Sequence, residues 1–345
     1  MTNKETLSRE TQYILNNYGL IPRYVEENGK IRRVYTDQGQ FALKSIPAQN
    51  GIDFIRNVQS LYQKGYNRIV PIFPTQDGRY AILQRDRLYY LMPWLSNEGS
   101  GERFEKHNKM FRELARMHSI SAKEITIDKE KREHHFEKIS GQWKKQKEFL
   151  NEFIKHCEKK WYMSPFELHF CMYYTDIIQA LNYAEKKLDE WYEKTKDSEK
   201  VRTVITHGKV SLQHFIQDDR GYGHFINFEN TRIVPPHFDL LPFLRKSTAA
   251  YPQACDDCVG WLYNYFNYFP LKEDEMLLFQ SYLAHPGSQF AIVESYLDKK
   301  EDKNELKYVT KLLREYWLLK NTEYIVMQVE EREQQKKAAQ AQAAE

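Results

Sequence analysis

Apolar and polar positions divide the chain into a short strand-rich part and a long helical one. In residues 5–18, Leu7, Tyr13, Ile14 and Tyr18 share a helical face that Pro22 ends. Residues 23–46 read as strands, broken by the turn signals Asn28-Gly29 and Asp37-Gln38-Gly39. Ile52, Ile55, Val58, Leu61 and Tyr62 then recur on a helical period, predicting a helix over 52–63. Further strands are expected at 69–73 and 80–83, around Asp77-Gly78, and at 89–94. From Glu105 onward the pattern is helical. Phe104, Phe111, Leu114, Ala115 and His118 mark a first helix, followed by long ones over 128–160 and 165–196. Neither long helix carries a sustained heptad seam, and no internal repeat is found.

The helical run is interrupted at 201–240. Val204-Ile205 leads into His207-Gly208, and Phe215-Ile216 and Phe225-Ile226 flank Gln217-Asp218-Asp219-Arg220-Gly221, the pattern of a hairpin. Asn227 and Glu229 lie two apart, so a continuing strand would point both to one face. After Leu240 helices resume to about Val329, with Trp261, Tyr263, Phe266 and Tyr268 expected in the core. Residues 331–345 lack large apolar side chains and are expected to be frayed helix or disordered.

At 345 residues the chain can build two lobes. A net charge of +3, from 51 basic and 48 acidic residues, gives no electrostatic footing for nucleic acid or an anionic membrane. The opening MTNKETLSRETQ lacks the apolar core of a signal peptide, and no apolar run nears the ~20 residues of a membrane span, so no membrane insertion is expected. The 24 Tyr, 19 Phe and 6 Trp are many; core packing accounts for most, and the surplus favours an interaction protein. Cys157, Cys171, Cys255 and Cys258 fit a reduced protein better than a disulfide scaffold. Cys255-x-x-Cys258 stands without the second pair of ligands that structural zinc needs. His118 reads as a core histidine and His134-His135 as a solvated helix face.

The segment around His207 resembles the catalytic stretch of the aminoglycoside and choline phosphotransferases, whose pattern is H-G-D-x-x-x-x-N, a hairpin, I-D-F-[DE], then Asp-Leu. His207-Gly208, Ile226-Asn227-Phe228-Glu229 and Asp239-Leu240 stand at the matching spacing. Phe41-Ala42-Leu43-Lys44 resembles the strand whose lysine pairs with nucleotide phosphates. Tyr89 to Trp94 resembles the strand entering the hinge that contacts adenine through main-chain groups, and Leu114 to His118 the L-A-x-x-H helix. The resemblance spans residues from about 20 to 320. It implies an α+β, protein-kinase-like two-lobe fold: a β-rich lobe at 1–92, a hinge and linker at 93–101, a mainly helical lobe at 102–330 holding the segment 203–240, and a tail at 331–345.

The chemical positions of that pattern are substituted. Lys209 stands for the Asp that accepts the substrate hydroxyl proton, His214 for the Asn, and Asn227 for the metal-binding Asp. A cation has no lone pair to act as base, and Mg²⁺ prefers carboxylates and phosphates to imidazole and amide. Glu229 is the carboxylate left as a metal ligand. No G-x-G-x-x-G cover is present, and the 52–63 helix offers only Asp53 and Gln59 where a glutamate should pin the lysine. The resemblance therefore implies no catalytic residue. It implies nucleotide-contacting positions at Lys44 and Met92, structural roles for His207, Gly208 and Asp239, no required cofactor with ATP binding left open, and no Mg²⁺. The FALKSI, LMPW and ITHGKVSLQHFI segments are most similar to the CotS/YsxE-like spore coat proteins, degenerate members of that superfamily. That resemblance implies synthesis in the mother-cell cytoplasm, deposition in the spore coat, other coat proteins as partners, and a non-catalytic pseudokinase role. The alternative is an ATP-dependent small-molecule kinase with an atypical site.

Overall fold

The computed structural model describes residues 9–95, 103–218, 220–249, 254–298 and 304–342. The connection expected to be flexible at 96–101 lies outside the described residues, as do Leu7 and Asp219. Two compact units are formed, one from residues 1–123 with 203–239 and one from 124–202 with 240–345.

The first unit opens with helix α1 (Arg9–Asn17) and strands β1 (Tyr24–Asn28), β2 (Ile31–Thr36) and β3 (Gly39–Pro47). Helix α2 (Gly51–Gln63), β4 (Ile82–Gln84), β5 (Arg87–Pro93) and helix α3 (Arg103–Ser121) follow. The strands make one antiparallel sheet in the order β1-β2-β3-β5-β4. Side chains alternate across such a sheet. Val25, Val34, Leu43 and Leu91 take one face and pack with Ile14 and Leu15 of α1. Ala42 and Lys44 take the other, opposite Met92 and Tyr90 in register. Phe54 of α2 packs there on Tyr90, ring centroids 5.1 Å apart. The strand expected at 69–73 is not formed. Ile69 and Phe73 make single bridges to Phe225 and Leu91, because each bonds a different neighbour.

The same unit contains the central segment. After β6 (Lys123–Thr126), helices α4 (Lys129–Glu158) and α5 (Pro165–Thr195), the chain returns as β7 (Lys200–Thr206). The hairpin β8 (Phe215–Gln217) and β9 (Gly223–Phe225) is then formed as expected, and β10 (Arg232–Val234) pairs with β7. Asp218 closes the hairpin turn by accepting from the Arg220 and Tyr222 amides at 3.0 and 2.8 Å. The Phe225 amide donates to Arg68 O and its carbonyl accepts from Val70 N, at 2.8 and 3.0 Å, which ties the hairpin to the chain beyond α2.

The second unit is helical: α4 and α5, then α6 (His237–Thr248), α7 (Asp256–Tyr268), α8 (Glu273–Ala284), α9 (Gln289–Asp298) and α10 (Glu305–Gln342). Helix α5 begins at a capping box in which Ser164 and Glu167 satisfy each other's amides, with Pro165 at its first position. Its Phe166, Phe170, Ile177 and Leu181 face Leu312 and Leu319 of α10 and Val293 and Tyr296 of α9 in one core. Helix α10 runs on to Gln342, exposed at its end, since its Glu, Gln, Lys and Ala residues favour helix without a core. Two sequence expectations are corrected here. Tyr268, at the last position of α7, is 49% exposed while Trp261 and Phe266 are buried. Cys255 and Cys258 are joined by a disulfide, because three-residue spacing at the start of α7 brings their sulfurs together; Cys157 and Cys171 are free thiols.

Candidate functional site

Lys44 lies on the face of the sheet that carries Ala42, Tyr90 and Met92. Its ammonium donates to Asn227 Oδ1 and Glu229 Oε1, and the Tyr90 phenol donates to the same Glu229 oxygen at 2.7 Å. The side chains of Lys44 and Glu229 are only 9% and 13% exposed, so the charges meet largely out of water. Burial pushes the Lys44 pKa down, Glu229 restores part of it, and the positive charges of Lys209 and Lys30 oppose. Burial also acts to raise the Glu229 pKa. The Lys44 charge and the hydrogen bonds from Lys44 and Tyr90 outweigh it and hold the carboxyl below its ordinary range. Burial and the neighbouring Glu229 carboxylate keep Tyr90 protonated, as the donor this geometry needs.

The route by which Asn227 and Glu229 converge differs from the one expected. The strand ends at Phe225; Asn227 turns into the left-handed region (φ 68°, ψ 50°) and Phe228–Asn230 forms a short 3₁₀ turn. Asparagine is among the few residues that enter this region readily. The turn sends the Phe228 ring inward, 4.7 Å from His207 and packed with Phe225, while Asn227 and Glu229 reach Lys44. Beyond Tyr90 the space enclosed by Phe54, Val58, Met92 and Ile226 is about 10 Å³, less than a small molecule needs.

A second network holds the loop after β7. Asp239 accepts from the His207 and Gly208 amides, both at 2.7 Å, and its Oδ2 lies 3.1 Å from His118 Nε2. His207 Nε2 donates to Ile226 O at 2.7 Å, and Nδ1 accepts from Lys209 N at 3.2 Å. These bonds fit one neutral tautomer, and burial lowers the His207 pKa in the same sense. His214 Nδ1 donates to Lys209 O at 2.8 Å. Both main-chain groups of Lys209 are thus fixed by histidines, while its side chain is exposed. His214 therefore acts as a clamp on the loop, with its Nδ1 proton committed to a carbonyl.

The structure brings Lys44, Asn227 and Glu229 together, and separately His207, Gly208 and Asp239. Met92 is buried at the register position opposite Ala42. Gln59 does not pin Lys44: its Nε2 makes no hydrogen bond among the described residues, and Asp53 is exposed. Asn57 is the polar residue of α2 turned toward this region, 3.4 Å from Thr231 Oγ1. Sequence reasoning missed Tyr90 as a partner of Glu229. It also placed His118 in the core without its Asp239 contact. The signal for Tyr90 was its place two residues before Met92, on the same face of β5. Glu229, two residues beyond Asn227, is ion-paired with Lys44. Among the described residues no group of three His, Cys, Asp or Glu side chains is arranged to hold a metal ion.

Solved structures share this architecture. An aminoglycoside phosphotransferase from Alicyclobacillus acidocaldarius superposes with a TM-score of 0.67 over 95% of this chain and 99% of its own, at 14% identity. The AMP-bound spectinomycin phosphotransferase superposes at 0.51 over 90% and 97%, at 10% identity. No protein-family profile and no curated protein sequence matches the chain. The small antiparallel sheet and the large helical part thus form the protein-kinase-like two-lobe fold of the aminoglycoside phosphotransferases. Among the described residues no helix is long and apolar enough to cross a membrane.

Proposed function

We propose that the chain is a pseudokinase: a phosphotransferase fold retired from catalysis and used as a structural or interaction component of the spore coat. The observation that carries this reading is the clamp on Lys44. A lysine that is to hold nucleotide phosphates is here closed by Asn227 and by Glu229, itself held by Tyr90, so a phosphate has to displace a buried carboxylate to reach it. At the position of the catalytic base, Lys209 offers a cation and no acceptor. The coat assignment is supported by the similarity of the FALKSI, LMPW and ITHGKVSLQHFI segments.

Calorimetric titration of ATP with magnesium and with a chelator tests the site. Equal heats, or none, with no phosphate transferred to small alcohols or amines, are expected. A tenfold gain in affinity with magnesium, about 1.4 kcal/mol, overturns the reading. Extraction of tagged protein from purified spores tests the location, with the coat fraction as the expected result. The second reading, an ATP-dependent small-molecule kinase, draws on Glu229, which could serve a metal if Lys44 swung away to a phosphate.

A further inference from the structure

We infer that the outer face of the sheet carries a binding site for a phosphate-bearing small molecule, separate from the Lys44 face and independent of the pseudokinase reading. A cavity of about 350 Å³ lies there, lined by Lys30, Arg32, Ser45, Arg85, Arg87 and Tyr89 together with Glu10 and Asp86. Ser45 and Tyr89 alternate with Lys44 and Tyr90 along β3 and β5, so the cavity opens on the opposite side of the sheet.

Three observations point to an anion. Four cations line the cavity against two carboxylates, and one of these, Glu10, accepts from the Tyr89 phenol at 3.2 Å. Lys30 and Arg85 form no ion pair among the described residues. Arg32 Nε donates to Glu27 at 2.9 Å, but its Nη1 is buried with no hydrogen-bond partner among the described residues. A guanidinium nitrogen in that state is costly unless an acceptor arrives.

The third observation is backbone strain. Arg85-Asp86 is the two-residue loop joining β4 to β5, where Gln84 pairs with Arg87. Arg85 sits at φ 57°. A loop with positive φ at its first central residue favours glycine, and a long β-carbon-bearing side chain there is strained. Arg85 and Arg87 both line the cavity, and the Arg87 Nη2 is held by Ser45 O and Oγ at 3.1 and 2.9 Å. Planar arginine forks pair with phosphate oxygens two at a time. The cavity exceeds a bare phosphate, which leaves room for the molecule that bears it.

Titration of the full chain with inorganic pyrophosphate, at constant ionic strength, tests the site. Saturable binding is expected, weakened roughly tenfold or more by Arg85→Gly and by Arg32→Gln, since each removes a charged hydrogen-bond donor. Arg85→Gly should at the same time raise the melting temperature, because glycine relieves the strained φ. Arg85→Lys should keep part of the affinity. No binding to the unaltered chain, or unchanged affinity in the more stable Arg85→Gly, overturns the proposal. Binding that survives Arg85→Gly and disappears in Lys44→Met belongs to the Lys44 face and overturns it equally.

Discussion

The Tyr90 phenol and the Lys44 ammonium meet on one oxygen of Glu229, from strands β5 and β3, where the two residues stand directly opposite in register. The carboxylate is therefore held by two partners on the same sheet and cannot leave one without loosening the other. Glu229→Gln strands Lys44 in a largely buried place and is expected to cost about 2–4 kcal/mol, near the lower part of the range for broken buried pairs. Lys44→Met combined with Glu229→Gln should cost less than the sum of the two by about 1–3 kcal/mol. Urea unfolding of the four proteins measures that coupling, and additive losses would show that the clamp contributes nothing.

Gly208 is expected to tolerate no side chain. Its φ is +76°, and a β-carbon there would clash with the Asn230 carbonyl oxygen, inside the turn that aims Glu229. Strain and clash together predict a loss of about 2–4 kcal/mol for Gly208→Ala. Gly29 has a similar φ of +65° with nothing within 4 Å of its absent β-carbon. Gly29→Ala should then cost only about 1–2 kcal/mol, the left-handed penalty alone. Equal losses at the two positions would remove the close approach from the account.

Stability should fall on mild acidification, before carboxylates are protonated. Burial, with Arg245 nearby, pushes the His285 pKa down from 6.5 to about 3. Its Nε2 donates to Gln146 at 3.2 Å, its Nδ1 accepts from Gly287 N at 3.1 Å, and its ring stacks on Trp143 at 4.5 Å. Between those two pKa values the unfolded chain binds a proton that the folded chain refuses. Stability therefore decreases as pH drops from 6.5 toward 3, by up to about 1.4 kcal/mol per unit. His207, lowered by its own burial, adds to the slope. Glu229 enters later: its depressed pKa gives stability that is complete above its ordinary 4.5 and lost as pH falls through the lower folded value. Urea midpoints for the parent and His285→Gln, followed from pH 7 to 4, should give a shallower slope in the variant. Parallel slopes would exclude His285 as a source.

Much of this was legible in the chain because it rests on local pattern. The hairpin at Phe215–Phe225 and the helices over 51–63, 129–158 and 165–195 follow from period and turn residues. The resemblance to the phosphotransferase pattern singles out Lys44 and Asn227, which the structure brings together. What was not legible depends on long-range pairing. Residues 69–73 have strand-like composition, yet whether they join a sheet depends on Phe225, more than 150 positions away. The convergence of Asn227 and Glu229 rests on a left-handed turn, which residue type permits but does not require. His118 illustrates the same limit: a buried histidine can be inferred from an apolar helix face, but its carboxylate partner Asp239 arrives from another part of the chain.

Lys209 is where an inactive and an active reading separate most sharply. Its backbone is clamped by His207 and His214 and its side chain is exposed; on the proposed reading it stands where the phosphotransferase pattern carries the base. Lys209→Ala leaves both main-chain bonds in place and should unfold at the same urea midpoint as the parent. Lys209→Asp supplies one carboxylate but leaves the His214 Nδ1–H donating to the carbonyl of residue 209 and Asn227 as an amide, so no transferase is expected. Adding His214→Asn and Asn227→Asp completes the set. Aspartate accepts the left-handed backbone at 227, so the turn should survive the change. Catalytic residues that act as one unit are strongly non-additive, and each partial reversion should be as silent as the parent. Even the triple variant has to free Lys44 from Glu229, so any activity it gains should be low and should rise when Glu229→Gln is added. The measurement is ATP-dependent phosphorylation of small alcohols and amines by the whole series. Turnover by the unaltered chain that Lys209→Ala abolishes would make Lys209 a catalytic residue and end the pseudokinase reading.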